Sequence, residues 1–254
     1  MWIALEECGL EYSMKTLDKT QQKPDSFAVT YRNANPLPHA KPKVPLLQVT
    51  SFDEKQDFVL CESSVIIEYI AASLSRCLSE QNGTSTAMAV IGTNRHQLLL
   101  PDNSPKDRAH IRLFVELCGS CFSYVPFTRV QTMEQVLIEY TKLQEQMKQV
   151  NAFLASSSSS ATKEGPFVMG HQFTLAEVYL APFVQRCCKI LPPPYDPLSI
   201  CQDLQLTGLQ EWIRAILTRK SVVATASFDQ MKVGQEKLIT RLARIRHKEG
   251  TAKG

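Results

Sequence analysis

Residues 44–70 constrain this chain more than any other stretch. Val44, Leu46, Leu47 and Val49 form a short apolar strand with Pro45 inside it, and Phe58-Val59-Leu60 reads as a return strand after the polar turn run Asp53–Asp57. Proline has no N–H to give to a ladder, so a strand proline belongs at an edge or an irregularity. Directly after the second strand, Ser63 and Ser64 supply hydroxyls for a helix start, and Ile66, Ile67, Ile70, Ala71 and Leu74 continue at helical spacing. The stretch predicts strand, hairpin, strand, then an abrupt turn into a helix.

That arrangement has a chemical use. A helix N-terminus offers free N–H groups and partial positive charge, which suit a carboxylate. A proline-interrupted edge leaves the backbone of Val44 open to pair with an extended peptide. Glu62 is positioned to hold an amino group. Together these features fit a small peptide carrying both an α-amino and an α-carboxylate group. A plain hairpin followed by a serine-capped helix is the other reading, and the residues alone leave both open.

At 254 residues the chain is long enough for one large core or two domains. Its formal net charge of +3 implies neither a nucleic-acid nor a membrane partner. No run approaches the roughly 18 apolar residues of a membrane span. The N-terminal Met1-Trp2-Ile3-Ala4-Leu5-Glu6-Glu7 carries no basic region and does not read as a signal or transit peptide, so a cytoplasmic location is expected. The spacings of the eight cysteines suggest no metal site and no disulfide framework. Cys118-Gly119-Ser120-Cys121 has redox spacing, but it lies in a helical apolar pattern with Phe114, Leu117 and Phe122, so packed thiols are expected.

Along the chain, Trp2 to Cys8 reads as the end of a helix, stopped by Gly9. Leu10, Tyr12 and Met14 alternate with polar residues and predict a half-buried strand. Pro24 opens a short helix with Phe27 and Tyr31 on its apolar face, and Asn35-Pro36 ends it. Residues 77–103 read as a linker with an insertion. Pro105 opens a helix carrying Ile111, Phe114, Val115, Cys118 and Phe122. Val136, Tyr140, Leu143, Met147, Val150 and Leu154 make an amphipathic stripe, with a flexible loop at Ser156–Ser160. Thr174 with Glu177 three residues on is a capping box ahead of an almost wholly apolar helix. From Lys232 the tail has seven Lys/Arg against two Glu, with Leu238, Leu242 and Ile245 on one side, and predicts a last helix docked on the bundle.

Two separated motifs resemble those of glutathione transferases, most closely of the omega and lambda classes. The first is Val44-Pro45 before a strand, then Glu62-Ser63-x-x-Ile66-x-x-Tyr69-Ile70. The second is Gly165-Pro166-Phe167-x-x-Gly170 followed by Phe173-Thr174-x-x-Glu177, a structural helix-capping motif in which Asp is the usual last residue. The resemblance implies an α/β thioredoxin-like N-terminal domain lacking its first strand (1–76), the linker (77–103), and an all-helical C-terminal domain (104–254). It implies glutathione as co-substrate. Val44 would pair through its backbone with the cysteinyl part, Glu62 and Ser63 would hold the γ-glutamyl end, and Lys23 would meet the glycyl carboxylate. A solvated loop lysine is the alternative for Lys23.

The expected reaction is glutathione-dependent thiol transfer or reduction. Alignment on Glu6–Leu10 puts the family's active-site cysteine before Met1, so the chain as given is expected to be inactive by itself. A homodimer is compatible with the resemblance. A non-catalytic binding or scaffold module of the same fold is the alternative function.

Overall fold

The turn from sheet to helix after Cys61 sets the geometry of the first half of the molecule. The computed structural model describes residues 1–17, 22–35, 37, 41–50, 57–81, 99–101, 104–158 and 164–251. They fall into two compact units, Met1–Leu100 and Pro101–Gly254. Most of the polar turn 53–57 and residues 82–98 of the expected linker lie outside the described residues.

In the first unit, α1 (Trp2–Glu7) ends as its sequence dictates. Gly9 takes φ +60°, its N–H donates to Glu6 C=O at 3.2 Å, and Leu10 N–H donates to Leu5 C=O at 3.1 Å. This paired motif satisfies the last free carbonyls, and only a residue without Cβ adopts that φ at no steric cost. Helix α2 (Asp25–Ala34) follows Pro24 and stops at extended Asn35, the residue before Pro36. Strands β1 (Leu46–Val49) and β2 (Phe58–Cys61) are antiparallel, with Leu46 opposite Cys61 and Val49 opposite Phe58. Helix α3 (Ser63–Gln81) begins two residues after the ladder ends, and Ile66, Ile67, Ile70 and Ala71 bury its inner face. Its backbone runs through 77–81, the first residues of the expected linker.

One expected element does not form. Leu10, Tyr12 and Met14 are exposed and belong to no strand. Alternation only marks a chain suited to a sheet; a strand exists when another strand takes up its N–H and C=O groups. Among the described residues no strand lies beside 10–14.

The second unit is helical. Helix α4 (Pro105–Cys118) is capped by Ser104, whose Oγ accepts from Asp107 N–H at 3.2 Å. The helix stops at Gly119, so Phe122 is buried from the following turn rather than from the helix. A 3₁₀ turn, Pro126–Thr128, leads to α5 (Met133–Ser158), which buries Val136, Leu143, Met147, Val150 and Leu154 as the stripe predicts. It continues three residues into the serine run, to Ser158, and 159–163 lie outside the described residues.

Helix α6 (Leu175–Ile190) is the centre of this unit and packs against α4 (Pro105–Cys118), α7 (Pro197–Asp203), α8 (Thr207–Thr218) and α10 (Phe228–Thr251). The short α9 (Lys220–Ala224) follows α8. Trp212 is fully buried between Phe114, at 5.5 Å between ring centroids, and Phe122, at 5.8 Å. Truncating a core aromatic of this kind costs about 3–5 kcal/mol.

The basic tail is docked, as its pattern predicts. Leu238, Leu242 and Ile245 are buried. Arg241 donates through Nε (3.0 Å) and NH2 (2.6 Å) to Val130 C=O, and Glu249 Oε1 accepts from Met133 N–H at 2.7 Å. Helix α10 thus supplies a cap for the start of α5, whose first N–H groups have no partner within their own helix.

Candidate functional site

The site is built where β2 hands over to α3. Glu62 joins them in a single residue and has φ +67°, in the left-handed region that non-glycine residues seldom occupy. Its C=O accepts from Ile66 N–H at 3.1 Å, so Glu62 occupies the cap position and Ser63 opens the helix. Both side chains are exposed. They stand at the N-terminal end of α3, where the helix's partial positive charge favours an anion.

The ladder brings Val44 to the same end of the sheet. Leu46 is paired with Cys61, the neighbour of Glu62, and Val44 lies two residues before Leu46. The Val44–Pro45 peptide bond is cis, the side chain of Val44 is exposed, and among the described residues no backbone hydrogen bond engages Val44. Lys23 reaches the same segment. Its ammonium donates to Pro42 C=O and lies 5.9 Å from the centroid of the Phe27 ring. An ammonium has three donors, so this contact leaves two for other acceptors. Val44, Glu62 and Ser63 are gathered by the register and the turn, while Lys23 is tied in through Pro42.

Glu62 has a partner that its sequence neighbourhood does not reveal. Tyr31 of α2 is buried, and its hydroxyl donates to Glu62 Oε1 at 3.0 Å. Asn35 Nδ2 donates to the Tyr31 oxygen at 3.3 Å, and Asn35 Oδ1 accepts from Leu37 N–H at 3.1 Å. The Asn35 contact lowers the phenol's pKa, but burial and the Glu62 carboxylate outweigh it and hold the pKa above its ordinary value. The hydroxyl is therefore a donor at neutral pH. From sequence, Tyr31 reads only as part of an apolar face. The available signal is general: a buried tyrosine hydroxyl usually finds a partner. Which partner, 31 residues away, is fixed by the fold.

The described thiols do not suit nucleophilic work here. Cys61 is half-buried at the end of β2, with Sγ 3.8 Å from Ala34 C=O. Burial, with Glu7 nearby, pushes the Cys8 thiol up to about 12. Burial likewise pushes Cys118 up to about 12 and raises Cys121. Cys187 and Cys201 also reach about 12, through burial and then Asp196. A reactive cysteine needs the opposite, a lowered pKa in an electropositive and partly open setting.

The second unit holds the other sequence motif in a different state. Glu177 is fully buried. Its Oε1 accepts from Val168 N–H at 2.9 Å and Trp212 Nε1–H at 3.1 Å; its Oε2 accepts from Thr174 N–H at 2.8 Å and the Thr174 hydroxyl at 2.7 Å. Gly165, at φ +127°, allows the close approach this needs, because a Cβ there would sit 2.4 Å from the Gly170 carbonyl carbon. Phe167 and Gly170 exchange backbone hydrogen bonds of 2.9 and 3.0 Å within the same turn. The two halves of the motif, Gly165–Gly170 and Phe173–Glu177, are one bonded knot. A cavity of about 290 Å³ between α4 and α5 has no charged group in its lining.

Residues 1–73 match the family described as glutathione S-transferase, N-terminal domain. A comparison with curated proteins gives no match. Among solved structures, glutathione transferase Omega 1C from Trametes versicolor is 18% identical, with a TM-score of 0.61 over 96% of this chain and 90% of that one. Glutathione transferase Omega 2C from the same organism is 19% identical, with a TM-score of 0.58 over 95% of this chain and 92% of that one. The trimeric glutathione transferase TDR1 of Leishmania is 18% identical, with a TM-score of 0.61, and this chain spans 45% of its length. The chain has the glutathione transferase fold, and its first 73 residues match the model of the glutathione S-transferase N-terminal domain.

Proposed function

We propose that the first unit binds glutathione at the β2–α3 turn. The observation that carries this reading is the state of Glu62. It is an exposed carboxylate at a strained backbone position, beside a helix N-terminus that attracts carboxylates. One side of the turn thus offers a negative charge for an α-amino group, and the other offers N–H donors for an α-carboxylate. The γ-glutamyl end of glutathione carries both groups on one carbon. The open backbone of Val44 takes the cysteinyl part by strand-like pairing, and Lys23 meets the glycyl carboxylate with its remaining N–H donors.

The reaction class we assign is glutathione-dependent thiol transfer or reduction of the omega and lambda type, with glutathione as co-substrate, in a cytoplasmic homodimer. The family's nucleophile for that reaction is an active-site cysteine, and none of the buried described thiols has the lowered pKa it needs. The raised pKa values of the buried described thiols favour one second reading, a glutathione-binding or scaffold module that performs no thiol chemistry. Among the described residues no helix is long and apolar enough to cross a membrane.

The test is calorimetric titration of glutathione into the wild-type chain and into Glu62→Ala and Ser63→Ala. Each substitution is expected to weaken binding at least tenfold, about 1.4 kcal/mol. Unchanged affinity in both variants overturns the site.

A further inference from the structure

We infer that Tyr31 is a positioning residue for the amino-recognising carboxylate of Glu62, so that α2 sets how strongly the site prefers a peptide with a free α-amino group. The inference rests on the reading of Glu62 given above.

The geometry is a chain of hydrogen bonds running in one direction. Leu37 N–H donates to Asn35 Oδ1 at 3.1 Å, Asn35 Nδ2 donates to the Tyr31 oxygen at 3.3 Å, and the Tyr31 hydroxyl donates to Glu62 Oε1 at 3.0 Å. Each donation polarises the next and strengthens the last one. Tyr31 is anchored by burial of its ring, so its hydroxyl is a fixed point, whereas Glu62 is an exposed side chain free of other restraint among the described residues. Fixing Oε1 leaves Oε2 to receive the ligand's ammonium in one orientation. It also removes the rotamer entropy that a free glutamate would lose on binding. A carboxylate restrained in this way gains most with a ligand that carries the ammonium and little with one that lacks it.

The experiment compares glutathione with γ-glutaryl-cysteinyl-glycine, the same tripeptide without its α-amino group. The ratio of the two affinities is measured for the wild type, Tyr31→Phe, Glu62→Gln and Asn35→Ala. Tyr31→Phe keeps the buried ring and removes the hydroxyl. It is expected to weaken glutathione binding about three- to tenfold while leaving the affinity for the des-amino peptide unchanged, so the ratio falls. Asn35→Ala is expected to move the ratio the same way by less. A structural loss would instead weaken both ligands together.

Glu62→Gln separates the two layers of the argument. If it collapses the ratio and Tyr31→Phe leaves the ratio at the wild-type value, the role of Tyr31 is overturned and the site stands. If Glu62→Gln leaves the ratio unchanged, the reading of Glu62 is overturned and the role of Tyr31 with it. An equal fall in both affinities for Tyr31→Phe makes Tyr31 a packing residue only and also overturns the inference.

Discussion

Glu62 and Glu177 sit at the starts of the two longest motif-bearing helices, and they differ in nearly everything else. Glu177 is fully buried and accepts four hydrogen bonds, three of them from N–H groups, behind a cap residue with an ordinary extended φ of −116°. Glu62 is exposed, accepts one hydrogen bond among the described residues, and is itself the cap residue, at φ +67°. A carboxylate at a helix N-terminus is stabilising in either setting. What separates a structural role from a binding role is whether its acceptor capacity is already used. Glu177 has nothing left for a ligand. Glu62 has a whole oxygen available, and it holds a left-handed backbone conformation that glycine adopts without steric cost.

This contrast is broken first by removing the saturated carboxylate. Glu177→Ala leaves Val168 N–H, Thr174 N–H and the Trp212 indole N–H buried without an acceptor. The expected loss is about 3–5 kcal/mol, read as the shift in the urea unfolding curve. A loss below about 1 kcal/mol would show that the knot is not held by Glu177.

A smaller effect sharpens the comparison through pH. Burial raises the carboxyl pKa of Glu177, opposed by its hydrogen bonds from Val168, Thr174 and Trp212. With its folded pKa above the unfolded value of about 4.3, the folded chain binds more protons at this site than the unfolded chain does. The contribution of this group is therefore fully present below the unfolded value and is lost as pH rises through the folded one. Subtracting the pH–stability curve of Glu177→Gln from that of the wild type should leave a downward slope starting near pH 4.3. A flat difference would mean that the N–H donors fully offset burial.

The smallest expected effect is on the other carboxylate. Glycine relieves the left-handed strain at position 62, so Glu62→Gly should be about 1 kcal/mol more stable than Glu62→Ala in the same unfolding assay. Both should lose glutathione. If alanine is as stable as glycine there, the turn is not strained and the asymmetry between the two sites is weaker than the backbone suggests.

Different physical signals made these regions readable to different degrees. The Thr174–Glu177 capping box was legible because its partners lie three residues apart and the helix behind it is apolar almost all round. The stripe on α5 was legible for the same local reason. The strand expected at Leu10–Met14 was not, since alternation reports a side chain's preference for two faces and says nothing about whether a neighbouring strand is there. Tyr31 was read as packing, because periodicity registers the ring and is blind to the hydroxyl.

The sequence by itself determined the β1–β2 hairpin with a helix directly behind it, the stop of α1 at Gly9, the buried stripe of α5 and the Thr174–Glu177 capping box, and it singled out Val44, Glu62 and Ser63. Those properties depend on contacts between near neighbours, where spacing is geometry. The tertiary structure alone decided that Tyr31 and Asn35 stand behind Glu62, that Trp212 completes the shell of Glu177, and that Arg241 and Glu249 reach back to the start of α5. These partners are up to 116 residues apart. A donor or acceptor names only the kind of group it needs, and which group arrives is settled when the helices pack.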